Sequence, residues 1–409
     1  MENPNDKRLH RTLVMAVIDA LYSIYNENEY ADKVVQKILK RDKRWGARDR
    51  KFIAETVYNM VRWKRMYNEI AGTKDFYSRE NIWKNFSVWA VLQGYKLPDW
   101  RGFEETPSRR IKGKFDELSK IRKFRESIPD WLDELGEKEL GEDWTKEIAA
   151  LNQQAEVILR TNRLKTSPEA LKISLEKEGV ETIQNPHFPD ALILSERQNI
   201  FQTEAFKNGL FEVQDASSQL VAPFLQVKPG DRVIDACAGA GGKTLHLSSL
   251  MENKGQIIAL DLYENKLLEL KRRAKRNGAH NITVKPIESN KTIKKLHNSA
   301  DKVLIDAPCS GLGVLKRNPD AKWKLQPEFI EEIKKTQAEI LQNYSSMVKA
   351  GGHLVYATCS ILPSENEEQV KKFLAQNSEF SLVEEKKISP AKTGFDGFYM
   401  ALLAKKVLK

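Results

Sequence analysis

Cysteines are scarce in this sequence, and their spacing limits what they can do. Cys237, Cys309 and Cys359 are the three cysteines among 409 residues, and they lie 72 and 50 residues apart. This spacing excludes a CxxC metal-binding pair, and the odd count excludes a set in which every cysteine is paired. We therefore predict three free thiols and no bound metal.

Long apolar runs are also lacking. No stretch approaches the roughly 20 apolar residues that span a bilayer, and residues 1–7 are polar, unlike a signal peptide. We therefore predict a cytoplasmic protein without membrane contact. We also expect a monomer.

The length and the charge of the chain set the next expectations. A chain of 409 residues exceeds a single ordinary core, so we predict three domains, at 1–125, 126–222 and 223–409. Lys and Arg number 67 against 57 Asp and Glu, a formal net charge of +10. This excess favours a polyanionic partner without identifying it.

Residues 1–125 are predicted to form an all-α domain. Apolar side chains recur at i, i+3 and i+4 in two stretches, 13–22 and 52–61. Basic residues outnumber acidic ones by twelve to three in residues 33–65 and by eight to two in residues 109–125. A solvated helix surface would explain either run alone, whereas two runs in one domain favour contact with RNA.

The composition changes at Glu126, where the second domain is predicted to begin. Residues 126–147 carry nine acidic side chains and two basic ones. Short β-rich pieces at 157–162 and 191–194 then flank a helix that opens at Ser167. This pattern predicts a small α+β module.

Strands and helices alternate from residue 229 onward. Apolar strands in such alternation indicate a parallel sheet covered on both faces, so we predict a Rossmann-type α/β domain. The last two apolar stretches leave no room for a helix between them and predict an antiparallel closing hairpin. The predicted strands are 232–236, 256–260, 282–285, 302–305 and 353–357, the hairpin stretches are 380–383 and 397–404, and the clearest helices are 264–277 and 328–348.

A glycine-rich turn follows the first of these strands. A P-loop would need glycine where this chain has Cys237, so that interpretation fails despite Lys243. A Rossmann-type turn fits better, because the small residues 238–242 let the backbone approach a nucleotide-like ligand. Asp261 ends the second strand, where a carboxylate accepts both hydroxyls of a ribose; capping of the next helix is its alternative role.

Two of the cysteines follow neighbouring predicted strands. Open α/β sheets bind ligands at the carboxyl ends of their strands, and both motifs fall there. A lone cysteine is usually a small core residue, but two at adjacent strand ends favour chemistry in which a sulfur attacks a carbon. The motifs are Asp306-Ala307-Pro308-Cys309-Ser310-Gly311-Leu312-Gly313 and Thr358-Cys359-Ser360.

These motifs resemble the Nop/Sun family of RNA 5-methylcytosine methyltransferases, in particular its bacterial RsmB-like branch. Residues 9–65 are similar to the NusB-like helical domain of that branch, and residues 159–162 and 214–218 to its RNA-recognition module. The resemblance implies S-adenosylmethionine-dependent methylation of carbon 5 of a cytosine in RNA, with small-subunit ribosomal RNA as the expected substrate. A non-catalytic RNA-binding or ribosome-assembly factor is the alternative, which the presence of both cysteines disfavours.

The resemblance also implies roles for individual residues. Cys359 attacks carbon 6 of the cytosine, Cys309 breaks the resulting adduct, and Asp306 contacts the N3 side of the base. DNA 5-methylcytosine enzymes attack with the Pro-Cys thiol, which here is Cys309. The implied cofactor contacts are Cys237, Ala238, Gly239, Ala240, Gly241, Gly242 and Lys243 in the turn, Asp261 at the ribose, Glu288 near the adenine and Asp306 near the methionine end.

The chain departs from the family pattern at two places. Residues 239–242 read Gly-Ala-Gly-Gly where the family has Ala-Pro-Gly-Gly, so a more flexible turn is expected. Glu288 follows isoleucine where the family has Gly-Asp. Arg317, Asp320 and Trp323 match a family segment after the first cysteine motif, with packing of the next helix as the alternative for Trp323.

Overall fold

The computed structural model describes residues 8–73, 77–104 and 107–407, so the predicted polar N-terminus at 1–7 lies outside the described residues. Its helices are α1 (Arg11–Asn26), α2 (Ala31–Leu39), α3 (Ala47–Arg62), α4 (Lys64–Ala71), α5 (Arg79–Leu92), α6 (Ser108–Leu118), α7 (Arg122–Arg125), α8 (Asp130–Leu140), α9 (Trp144–Leu151), α10 (Pro168–Lys177), α11 (Glu204–Lys207), α12 (Ala216–Gln219), α13 (Val221–Phe224), α14 (Gly242–Leu250), α15 (Glu264–Asn277), α16 (Asn290–Lys294), α17 (Ala321–Lys324), α18 (Pro327–Tyr344), α19 (Glu367–Gln376) and α20 (Pro390–Thr393). Its strands are β1 (Ile158–Thr161), β2 (Thr182–Asn185), β3 (Phe188–Leu194), β4 (Phe211–Val213), β5 (Arg232–Asp235), β6 (Gln256–Asp261), β7 (Ile282–Pro286), β8 (Ala300–Asp306), β9 (Val348–Thr358), β10 (Phe380–Ile388) and β11 (Phe398–Lys405).

The chain forms two compact units. The helical unit comprises residues 1–152 and 315–326, and the α/β unit comprises residues 153–314 and 327–409. The predicted boundary at 125/126 falls inside the helical unit because the acidic helix α8 pairs with basic residues before it. There Nε of Arg122 lies 2.8 Å from Oδ1 of Asp133. The division into three domains stays a prediction.

The described part of the helical unit contains helices and no strand, as the 3.6-residue periodicity predicts. The predicted faces of α1 and α3 contribute to one apolar core, which includes Val14, Val17, Val57 and Val61. These faces hold the unit together because apolar surface removed from water stabilises by about 25 cal/mol per Å².

The segment Leu315–Gln326 packs into the helical unit although it lies between the two cysteine motifs in sequence. The indole Nε1 of Trp323 donates a hydrogen bond to the carbonyl of Val61 at 2.7 Å, so Trp323 contacts α3. Lys322 is fully buried, with Nζ 3.0 Å from Oδ1 of Asn152. Burial, and then the nearby charge of Arg62, lower the pKa of Lys322 well below its usual value.

The first sheet of the α/β unit has four antiparallel strands in the order β2-β3-β1-β4. Helix α10 contributes Leu171 and Leu175 to a core shared with Leu159 and Leu192 of the sheet. Oγ of Ser167 accepts a hydrogen bond from the backbone of α10, which confirms the predicted helix start. The α+β character predicted for this part of the chain is confirmed.

The second sheet has seven strands in the order β10-β11-β9-β8-β5-β6-β7. Strands β5 to β9 are parallel at every pairing among them, so the predicted Rossmann-like sheet is confirmed. Strand β11 pairs antiparallel with both β9 and β10, as the closing hairpin predicts. The expectation that no helix fits between β10 and β11 was wrong, because Pro390 opens the short helix α20 there, capped by Ser389.

The register of the parallel strands brings the motif-bearing ends to one edge of the sheet. Asp306 of β8 pairs with Ala357 of β9, and Asp235 of β5 pairs with Leu304 of β8. Both cysteine loops and the glycine turn therefore leave the same edge. Among the described residues, none of the helices combines the length and the apolar character that a membrane crossing needs.

Candidate active site

The two cysteine loops meet at the carboxyl ends of β8 and β9. Sγ of Cys309 lies 3.3 Å from Sγ of Cys359, and both residues are partly exposed. Gly313 sits against the second loop, and its N–H donates to the carbonyl of Cys359 at 2.9 Å. A Cβ at Gly313 would lie 2.3 Å from the carbonyl oxygen of Gly397, so only glycine fits this approach of the loops.

The proton shared by the two thiols favours Cys309. The hydrogen bond with Cys359, then burial, then the negative charges of Cys359 and Glu365, raise the pKa of the Cys309 thiol well above its usual value. Two thiolates in contact would repel each other, so one proton between the sulfurs is the stable arrangement. Cys309 is therefore the thiol that keeps its proton.

Glu365 links the two loops through hydrogen bonds to both of them. This residue was not identified from the sequence. This fully buried carboxylate accepts hydrogen bonds from the hydroxyls of Ser310 and Ser360, both at 2.5 Å. Each serine directly follows one of the two cysteines. The available signal was an acidic residue six positions after Cys359, which by itself does not predict burial.

Lys243 joins the glycine turn to the first cysteine motif. Its Nζ lies 2.6 Å from Oδ2 of Asp306 and 5.2 Å from the ring centre of Phe398. Burial favours the neutral form of Lys243, yet the charge and the hydrogen bond of Asp306, with Cys359 nearby, raise its pKa above the usual value. Lys243 therefore keeps its positive charge next to Asp306 and near Cys359.

The glycine turn is open where a ligand would approach it. Gly239 and Gly241 have φ angles of 54° and 88°, which favour glycine. A Cβ at Gly239 or Gly242 would meet no heavy atom within 4 Å, whereas at Gly241 it would lie 2.5 Å from Leu270. The turn thus leaves free space beside its backbone while packing against α15.

Asp261 braces this turn and does not cap α15. Its Oδ2 accepts from the N–H of Gly239 and its Oδ1 from the N–H of Tyr263, both at 2.8 Å. Helix α15 begins after Tyr263 and has no side-chain cap. Each carboxylate oxygen keeps a lone pair for another donor, such as a ribose hydroxyl.

Burial shifts two groups next to the turn towards their neutral forms. Asp235 is 1% exposed, accepts from Oγ1 of Thr244 at 2.7 Å, and its Oδ1 has no hydrogen-bond partner among the described residues. Burial raises the pKa of Asp235 to about 7. Burial and the charge of Asp235 also raise the pKa of the Cys237 thiol, so Cys237 is no rival nucleophile.

Two arginines, Arg160 of β1 and Arg273 of α15, link the four-stranded sheet to the glycine turn. Nη1 of Arg273 donates to the carbonyl of Ala240 at 2.8 Å, while its Nη2 lies 2.9 Å from Oε2 of Glu212 on β4. Nη1 of Arg160 on β1 donates to the carbonyl of Gly242 at 2.5 Å. Arg160 is 2% exposed, so this residue of the RNA-module motif supports the turn from inside.

Glu288 lies apart from the residues that brace the turn. It is exposed and lines a surface cavity of about 390 Å³ with Arg232, Lys285 and Lys295. The N–H of the preceding Ile287 donates to the carbonyl of Asp261 at 2.9 Å, which keeps this stretch at the end of β6. Its role at the adenine stays a prediction.

A parallel sheet, an open glycine turn braced by Asp261, and two thiols in contact define the class of methyltransferases that use S-adenosylmethionine. The turn residues 237–243 and Asp261 fit this cofactor, since the open glycines and the orphaned oxygen of Asp235 leave room and hydrogen-bonding capacity there.

Comparisons with known proteins agree with this class. The family described as "16S rRNA methyltransferase RsmB/F" matches residues 222–404, and the "Methyltr_RsmF/B-like, ferredoxin-like domain" matches residues 128–201. The crystal structure of PH0851 superposes with a TM-score of 0.82 at 27% identity, covering 98% of this chain and 100% of that chain.

Curated relatives show the family. The chain is 34% identical over 324 residues to ribosomal RNA small subunit methyltransferase B of Escherichia coli O6:K15:H31, covering 76% of this chain and 75% of the relative. The protein of that name from Proteus mirabilis is 35% identical over 68% of this chain and 66% of the relative, just under two thirds of its length. The chain therefore belongs to the RsmB/F methyltransferase family. It is an S-adenosylmethionine-dependent RNA methyltransferase with a ferredoxin-like domain.

Proposed function

We propose that the enzyme methylates carbon 5 of a cytosine in small-subunit ribosomal RNA through a covalent bond to Cys359. The observation that carries this proposal is the 3.3 Å contact between Sγ of Cys309 and Sγ of Cys359, beside the Lys243–Asp306 pair. Carbon 5 of cytosine is a weak nucleophile, and two thiols in contact provide one sulfur to activate the base and one to release it. The names of the relatives from Escherichia coli and Proteus mirabilis support the choice of ribosomal RNA.

The first step is addition of Cys359 to the base. The thiolate of Cys359 forms a bond to carbon 6, and the displaced electron pair makes carbon 5 nucleophilic. Lys243 stabilises the thiolate before attack because its positive charge lies near this sulfur. Asp306 faces the N3 side of the base and favours the addition. S-adenosylmethionine, when held by residues 237–243 and Asp261, supplies an electrophilic methyl group.

The second sulfur completes the reaction. Once Cys359 is bonded to carbon 6, its negative charge no longer raises the pKa of Cys309, so the partly exposed Cys309 releases its proton to solvent and becomes a base. Cys309 then takes the proton from carbon 5, the bond between sulfur and carbon 6 breaks, and its electron pair returns to Cys359. The methylated base leaves and Cys359 is again a thiolate.

RNA affinity is proposed to come in part from the NusB-like helical unit. In the basic run at 33–65 several cations are already used, as in the ion pairs of Arg41 with Asp19 and of Arg44 with Asp42. Four exposed cations of this run have no ion-pair partner among the described residues. They are Lys40, Lys43, Arg48 and Lys51.

The proposal is tested by incubating the enzyme with unmodified small-subunit ribosomal RNA and S-adenosylmethionine, followed by bisulfite mapping. The expected result is a protected cytosine with the wild type and none with Cys359→Ala, although Cys359→Ala binds the cofactor normally in calorimetry. Methylation at a carbon other than cytosine 5 would contradict the proposal. Location in the cytoplasm and a monomeric state belong to the same proposal.

A further inference from the structure

Glu365 is a buried carboxylate without an ion-pair partner among the described residues. It ends the short turn Pro363–Glu365 after the second cysteine loop, and its side chain has no exposed surface. Burying a carboxylate is costly unless several hydrogen bonds replace its water. Its position against the serines that follow both thiols therefore indicates a role in the chemistry of the thiols.

The partners of Glu365 come from both cysteine loops. From the first loop, Ser310 donates its N–H to Oε2 at 2.8 Å and its hydroxyl to Oε1 at 2.5 Å. From the second loop, the hydroxyl of Ser360 donates to the same Oε1 at 2.5 Å. Nε2 of Gln337 on α18 donates to Oε2 at 2.9 Å and also to the carbonyl of Pro308 at 3.0 Å. One carboxylate thus fixes the residues that follow both sulfurs.

The carboxylate also supplies charge at the thiol pair. The ionisable groups that interact with Cys309 include the acids Cys359, Glu365 and Tyr356, and the cation Lys243 interacts with the neighbouring Cys359. Of these three acids, Cys359 reacts in the proposed cycle, and burial raises the pKa of the Tyr356 hydroxyl well above its usual value, so Glu365 is left as the non-reacting source of negative charge. Its negative charge opposes loss of the proton from Cys309.

We propose that Glu365 is a positioning residue that ties the two cysteine loops together and keeps the resting proton on Cys309. This inference rests on the proposed function, in which Cys359 attacks. It explains why the two thiols have different proposed roles. The two sulfurs are close neighbours, and the charge of Glu365 opposes loss of the proton from Cys309. Glu365 itself acts through Cys309 and touches no reacting atom.

The test compares two substitutions around the same carboxylate. Glu365→Gln removes the charge and keeps the shape, whereas Gln337→Met removes a hydrogen bond to Glu365 and leaves the charge. Both are made in a Cys237→Ala, Cys359→Ala protein, where Cys309 is the remaining thiol. The pH dependence of alkylation by iodoacetamide then gives the pKa of Cys309.

Glu365→Gln is expected to lower this pKa by about one unit, and Gln337→Met to leave it unchanged. An unchanged pKa in Glu365→Gln would overturn the proposal. So would an equal shift in both variants, because the shift would then follow packing and not charge. Since alkylation needs neither RNA nor methyl transfer, its result is independent of whether the wild type methylates cytosine.

Binding of S-adenosylmethionine in calorimetry shows whether Glu365→Gln is folded. If that variant does not fold, the double variant Ser310→Ala, Ser360→Ala in a Cys237→Ala protein takes its place. Oxidation of Cys309 and Cys359 to a disulfide by diamide should then be at least about fivefold slower than in the parent, because the loops are no longer tied. An equal rate would show that Glu365 does not position the thiols.

Discussion

Nζ of Lys243 lies 2.6 Å from Oδ2 of Asp306, and this contact joins the start of α14 to the end of β8. The glycine turn and Asp306, the proposed contact to the base, are thereby linked by one ion pair. The same cation lies near Cys359, so in the proposed mechanism a single side chain acts on the glycine turn, the base contact and the nucleophile.

Lys243 is predicted to activate Cys359. Lys243→Met should slow alkylation of Cys359 by iodoacetamide at pH 7 by at least about tenfold, because a nearby positive charge stabilises the thiolate that attacks the reagent. The measurement uses a Cys237→Ala, Cys309→Ala protein, in which Cys359 is the remaining thiol. Lys243→Arg keeps the charge and should retain most of the reactivity. Equal rates for Lys243→Met and the parent would remove Lys243 from this role.

Arg273 is predicted to hold the cofactor turn. Arg273→Met frees the carbonyl of Ala240 and breaks the link to Glu212, so calorimetry should show S-adenosylmethionine binding about fivefold to tenfold weaker, the equivalent of one hydrogen bond of about 1 kcal/mol. Arg272→Met is the matched control, since Arg272 is exposed and pairs with Glu269. The same loss of affinity in both variants would contradict a specific role for Arg273.

His246 is predicted to make the protein sensitive to acid. Burial lowers the pKa of His246 to about 4 from an ordinary value near 6.5, although Asp190 lies 3.4 Å from its Nε2. As the pH falls from 6.5 to 4.5, His246 becomes protonated in the unfolded chain but stays neutral in the folded protein. The free energy of unfolding therefore decreases in that window. In urea unfolding, the free energy of unfolding of His246→Phe should fall by roughly 2 kcal/mol less than that of the wild type between pH 6.5 and 4.5.

The control for this prediction is the exposed His297. His297→Phe should leave the pH dependence of the free energy of unfolding as it is in the wild type. A wild-type curve and a His246→Phe curve that run parallel between pH 6.5 and 4.5 would show that His246 does not control it.

The unpaired cations of the helical unit are predicted to contact phosphates. Replacing Lys43 and Lys51 by alanine should flatten the dependence of log K on log salt concentration by roughly 0.7 to 0.9 for each lost contact, because fewer counterions are released. Filter binding with small-subunit ribosomal RNA measures this slope. Lys37 pairs with Glu29, so Lys37→Ala should change the slope less. Equal slopes for all these variants would show that this face is only solvated surface.

The sequence predicted the parts of the site that are encoded locally. The strands before Asp235, Asp306 and Cys359 are short apolar runs whose ends carry the motifs, so their shared edge follows from the parallel topology. The hydrogen bond from Ser310 to Glu365 spans 55 residues, and no local pattern predicts it.

Contacts distant in sequence also account for the other differences. The motif at Arg160 was associated with RNA recognition, but its guanidinium is buried against the carbonyl of Gly242, 82 residues away. Trp323 bonds to Val61 across 262 residues, which places the segment after the first cysteine motif in the helical unit. Tertiary packing decided these positions, and hydrophobic periodicity carries no information about it.

The most direct test of the central claim is the fate of the covalent bond to RNA in Cys309→Ala. This variant should attack the base but fail to release it, so a denaturing gel should show a slowly migrating protein–RNA band in the presence of S-adenosylmethionine. The band should be absent from the Cys309→Ala, Cys359→Ala protein. A band formed by Cys359→Ala and not by Cys309→Ala would contradict the account and make Cys309 the attacking sulfur.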